Sequence, residues 1–126
     1  MTSLETPRHR VEGLGSAHSG VQQFWRLRIS GAALGFLSLW FTYAALGLVG
    51  AGQVPVLAFL QHPLNAVLMG AFMLISTYHM ALGLREVVED YVHTNGIKLF
   101  LTLLIRLFAF VVAIAAVVAL LRIAIA

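Results

Sequence analysis

One histidine, His79, lies inside an apolar run that otherwise looks like plain membrane span, from Pro63 to Leu84. An ionisable side chain at bilayer depth is costly, so its presence points to a function. A neutral imidazole there can ligate a haem iron, relay a proton, or simply hydrogen-bond a neighbouring helix. Eleven positions on, the segment reaches Asp90 and Tyr91, within Val87-Val88-Glu89-Asp90-Tyr91-Val92-His93. On one helix that spacing returns to within about 20° of the starting direction and climbs about 16 Å. His79 and Asp90 then share a face, one near mid-membrane and one at the water surface. This is the arrangement of a cofactor ligand beneath an interfacial polar site.

Glu86, Glu89 and Asp90 also need an explanation, because acidic groups at a helix C-terminus oppose the macrodipole. Arg85, Lys98 or a protein partner are the candidate compensators. A tyrosine hydroxyl beside an acid at the membrane surface has the chemistry to hydrogen-bond a quinone carbonyl. Arg28 reads either as an anchor at the headgroup boundary or as the partner of an anionic group such as a haem propionate. Arg106 lies too deep for easy snorkelling and should face the bundle, with Glu86 as its candidate partner. No other histidine falls at mid-span, so a second axial histidine would have to come from another chain.

The elements that position these residues follow from hydropathy. Of 126 residues, 60% are apolar and only 10% charged, against roughly a quarter charged in soluble domains. The apolar residues concentrate in runs long enough to cross a hydrocarbon core, which takes about 20 residues. The expectation is an all-α membrane protein with three transmembrane helices, near 29–52, 63–91 and 98–124. Residues 1–20 read as a flexible arm and 21–126 as the three-helix anchor domain. Gly31 and Gly35 are spaced for close helix contact. Pro63 suits a helix start, and His93-Thr94-Asn95-Gly96 reads as a turn. With so little chain left over, there is no room for a soluble catalytic domain.

The net charge of +3 is spread along the chain with no basic recognition motif, which argues against nucleic acid as a partner. The absence of cysteine excludes disulfides and iron–sulfur ligation by this chain. Arg8, Arg10, Arg26 and Arg28 precede the first span, Arg85 and Lys98 flank the second loop, and the first loop has no Lys or Arg. The positive-inside rule then puts the N-terminus in the cytoplasm and the C-terminus in the periplasm.

The stretch from His62 to Thr94, with His79, ten intervening residues and Asp90-Tyr91, resembles the smaller hydrophobic membrane anchor of bacterial succinate dehydrogenase (complex II). Gly20 to Gly31, ending in Arg28-Ile29-Ser30-Gly31, resembles the segment that precedes that family's first span. The resemblance covers roughly residues 15–122. It implies a multi-pass subunit of the bacterial inner membrane, itself non-catalytic but part of an enzyme complex. His79 would be one axial ligand, through the haem iron, of a haem b shared with the complex's other membrane anchor. Arg28 would lie near the haem propionates. Asp90 and Tyr91 would line the site that reduces ubiquinone. The partners would be that other anchor, the iron–sulfur subunit, the flavoprotein subunit and membrane lipid. The chain departs from the family at Gln22 and Gln23, where histidine is frequent, and at Glu86, where an apolar residue is usual. Two other readings stand beside it: the anchor of a related quinol:fumarate reductase, and a small membrane scaffold or transport component without redox chemistry.

Overall fold

The computed structural model describes residues 17–126, and within them the chain is entirely helical apart from its turns. Four helices follow in order: α1 (Ala17–Gly47), α2 (Gln53–Gln61), α3 (Pro63–Tyr91) and α4 (Asn95–Ile125). Three segments are long and apolar enough to cross a membrane: Gly20–Gly47, Pro63–Tyr91 and Asn95–Ile125. At about 1.5 Å per residue each exceeds the roughly 30 Å of hydrocarbon, so their ends project into the headgroup layers.

The boundaries depart from the sequence expectation in four places. Residues 1–16 of the expected arm lie outside the described residues, and Ala17 to Gly20 are already helical. The first span begins twelve residues before the expected Ile29, because no proline interrupts the aromatic and basic stretch before it. It ends at Gly47 rather than near residue 52. Gly50, with φ +76°, makes the turn that follows, a conformation glycine adopts without steric cost. The first loop contains α2, with Pro55 in its first turn, where a missing N–H removes no intrahelical bond.

The last span starts at Asn95 instead of Lys98. Asn95-Gly96 therefore occupies a first helical turn and not a turn between helices. Thr94 is the N-cap, and its carbonyl accepts from the Lys98 N–H at 2.9 Å. The second span matches its expected ends. Pro63 sits in the first turn of α3, and the Val92 N–H closes the last on the Val88 carbonyl at 3.0 Å.

Helix α3 lies between α1 and α4, which make no close backbone contact with each other. Side chains in register hold α1 antiparallel to α3. Gln23 faces Glu86, Ser30 faces His79, and Phe41 stacks on Phe72 at 4.8 Å between ring centroids. The first two pairs are each seven residues apart on both helices, which returns each to one face. Gly70 brings α3 against α4: a Cβ there would stand 3.2 Å from Leu120 Cδ2. Gly31 does the same toward α3, whereas Gly35 has nothing within 4 Å. Short α2 packs at the far end, where Phe59 stacks on Trp40 and accepts from Asn65 Nδ2 at 3.0 Å through its carbonyl.

Polar groups within the spans are satisfied locally, as a hydrocarbon surrounding demands. Ser76 donates to the Phe72 carbonyl and Thr77 to that of Met73. Few side chains are buried, Val88 and Ala116 being the apolar ones, while long apolar side chains cover the outside of all three spans. Such a surface is at home only against lipid or other membrane helices.

Candidate functional site

His79 sits in the middle of α3 and points at α1. Its Nδ1 lies 2.9 Å from Ser30 Oγ. Ser30 is the buried polar residue of the described chain, 7% exposed, and it also donates its hydroxyl to the Leu27 carbonyl at 3.1 Å. A serine has one hydroxyl hydrogen. Since that hydrogen goes to Leu27, the Ser30 oxygen must accept from His79, which assigns the proton to Nδ1. The opposite nitrogen, Nε2, then carries a lone pair and has no partner among the described residues. Metal-binding histidines are arranged in the same way, with one ring N–H held and the other nitrogen left to ligate.

Gly31 completes the setting. A Cβ at Gly31 would stand 3.2 Å from His79 Cε1, so only glycine lets the ring lie this close to α1. His79 is therefore held from two sides by adjacent residues of another helix. A single imidazole suits one axial position of a haem, and no cluster of three metal-binding side chains exists among the described residues. The donor set fits a group whose other axial ligand another chain provides.

Arg28 is exposed on α1, with its guanidinium carbon 4.3 Å from the Phe24 ring centroid. It has no acidic partner among the described residues. Asp90 and Tyr91 occupy the last turn of α3. The continuous helix puts Asp90 on the His79 face, as the spacing requires. Neither residue is brought against another functional side chain, and Tyr91 is 78% exposed.

The other acids are accounted for. Glu89 accepts from Arg85 Nε at 2.7 Å, and its backbone carbonyl accepts from Lys98 Nζ at 3.2 Å. Glu86 accepts from Gln23 at 3.5 Å. The expected Arg106–Glu86 pair does not form. Glu86 faces α1, while Arg106 lines a groove shared with Arg26 and Arg85. Ser30 is a partner of His79 that the sequence expectation did not include. Its signal lies in the matched spacing: Gln23 and Ser30 on one helix, His79 and Glu86 on the next, each seven apart.

Residues 2–113 match the family described as the succinate dehydrogenase/fumarate reductase transmembrane subunit. The chain is 35% identical over 86 residues to the succinate dehydrogenase hydrophobic membrane anchor subunit of Paracoccus denitrificans, covering 68% of this chain and 67% of that one. It is 33% identical over 112 residues to the subunit of the same name from Rickettsia conorii, covering 88% and 89%. The Rickettsia bellii subunit is 29% identical over 110 residues. No solved structure matches.

Proposed function

This chain belongs to the succinate dehydrogenase/fumarate reductase transmembrane subunit family, and from that premise we propose that it anchors a succinate:ubiquinone oxidoreductase, ligates haem b through His79 and contributes Asp90 and Tyr91 to the quinone site. It is a multi-pass membrane protein and a membrane anchor subunit of succinate dehydrogenase that associates with the other subunits of its complex. The finer reading puts it in the bacterial inner membrane. The complex's other membrane anchor provides the second haem ligand, and the iron–sulfur and flavoprotein subunits dock on the cytoplasmic side.

The observation that carries the haem assignment is the His79–Ser30 bond. It fixes the imidazole in the tautomer that leaves Nε2 available. A bound haem would supply one-electron redox chemistry inside the membrane. The protein's own contribution is to orient the imidazole, with Ser30 holding Nδ1 and Gly31 admitting the ring. Arg28, exposed on the neighbouring helix, offers a charge for a propionate. At the surface end of α3, the Tyr91 hydroxyl is a hydrogen-bond donor for a quinone carbonyl. Asp90, next to it, can hold a proton-donating water or the tyrosine itself.

The relatives named above are all succinate dehydrogenase subunits, which favours succinate oxidation over the fumarate reductase alternative. The deciding experiment is the optical and EPR spectrum of the purified complex carrying His79→Ala. The variant is expected to lose or grossly alter the haem b signal. An unchanged spectrum and midpoint potential would remove His79 from the ligand role.

A further inference from the structure

On the side of α3 away from Gly31 runs an open groove of about 360 Å³, with α3 as its floor and α1 and α4 as walls. Each helix sends one arginine into it: Arg26 from α1, Arg85 from α3 and Arg106 from α4. The helix registers put these at one level. The Ser30–His79 pairing sets Arg26 within a turn of Arg85, and the Gly70–Leu120 contact sets Arg85 beside Arg106. No Asp or Glu lines the groove. Only Arg85 has an acidic partner, through its Nε to Glu89, and Arg26 and Arg106 have none among the described residues.

Away from the arginines the walls become apolar. Leu74 on α3 lies eleven residues from Arg85, and Ala113 on α4 lies seven residues from Arg106. An apolar track of about 10–16 Å therefore descends from the charged end. Ile105 and Phe110 form its α4 side, and Thr77 turns its hydroxyl back onto the Met73 carbonyl.

We propose that Arg26, Arg85 and Arg106 form a site for the phosphodiester of an anionic phospholipid, whose acyl chain lies along the track between α3 and α4. Like-charged guanidiniums converging at the edge of a low-dielectric phase repel one another unless an anion joins them. Guanidinium forks match phosphate oxygens bidentately, and basic pockets between spans are suited to acidic headgroups. A neutral quinone head would leave the charges uncompensated. A haem on His79 would meet a different face of α3, since Arg85 lies about 120° around the helix from His79. The lipid site therefore stands independently of the haem reading.

The experiment is lipid retention by the purified, assembled complex. The complex is stripped with detergent, then offered dioleoylphosphatidylglycerol, dioleoylphosphatidylcholine or inorganic phosphate, and bound lipid is counted by native mass spectrometry. The wild type is expected to retain phosphatidylglycerol in preference to phosphatidylcholine, with inorganic phosphate failing to displace it. Arg26→Gln/Arg106→Gln is expected to reduce that retention several-fold while the haem absorbance of the same sample stays unchanged. Equal retention by the variant, or equal retention of both lipids, overturns the proposal. Displacement by inorganic phosphate would make this a soluble-anion site and overturn the lipid assignment. A crosslink from the groove to a partner subunit's carboxylate would overturn it as well. Should the double variant fail to assemble, Arg106→Lys keeps the charge but not the fork. Weaker retention by that variant supports the site, and undiminished retention counts against it.

Discussion

Ser30 Oγ and His79 Nδ1 lie 2.9 Å apart, although 49 residues separate them in the chain. Because Ser30 gives its own hydrogen to Leu27, this contact sets the protonation pattern of the imidazole as well as its orientation. Ser30→Ala is expected to retain His79 but release the ring. Loss of a partner to a ligating histidine typically costs about 10–100-fold in metal affinity. The predicted result is weaker haem retention and shifted EPR g-values, with Ser30→Thr restoring both. Spectra and retention identical to wild type would show that Ser30 merely fills space.

Gly31 tests the same setting sterically. A methyl group there meets His79 Cε1 at 3.2 Å, which demands a small displacement of the ring. Gly31→Ala is expected to perturb the haem spectrum mildly and Gly31→Val severely. Gly35→Ala, with open space around it, is expected to be silent. Reduced-minus-oxidised difference spectra of the three variants would rank them, and a Gly35 effect equal to that of Gly31 would contradict the helix register.

Tyr91→Phe is expected to slow quinone reduction and leave dye-linked succinate oxidation nearly intact, because the flavin and iron–sulfur steps lie in other subunits. A lost hydrogen bond to a neutral group costs about 0.5–1.5 kcal/mol. Each ~1.4 kcal/mol in the transition state is about tenfold in rate, so a several-fold to tenfold fall is expected. Asp90→Asn should act in the same direction. If quinone-linked and dye-linked turnover fall in parallel, the two residues serve docking of the iron–sulfur subunit. If neither changes, they are simply a solvated helix end.

The topology is open to a direct check. The antiparallel arrangement gathers Arg26, Arg28, Arg85 and Lys98 at one end of the three spans, and Arg122 stands at the other. The positive-inside rule puts the first end in the cytoplasm. Reporter fusions in the His93–Lys98 segment and after Ala126 are expected to show opposite sidedness, cytoplasmic and periplasmic respectively. The same sidedness for both would exclude this path through the membrane.

The sequence by itself determined the helical class, the three spans and the place of His79. Hydropathy and helix length are local properties, and a chain this poor in charge has few alternatives. The ends of α3 were legible for the same reason: Pro63 starts it, and the chain turns beyond Tyr91. The His79–Asp90 spacing needed only one continuous helix, and α3 provides it. The ends of α1 and α4 were less legible. Apolar content marks where a span meets lipid, but a helix continues until a residue such as Gly50 breaks it.

Only the tertiary structure decided what each polar group meets. Ser30 became the partner of His79, Gln23 the partner of Glu86, and Arg106 a neighbour of Arg26 and Arg85 instead of a partner of Glu86. Those outcomes depend on how far each helix is rotated and slid along its neighbour. Rotation and register are set by side chains packing between helices, at points such as Gly31 and Gly70. A one-residue change in register turns a side chain by about 100°, enough to take Arg106 from the groove to a different face.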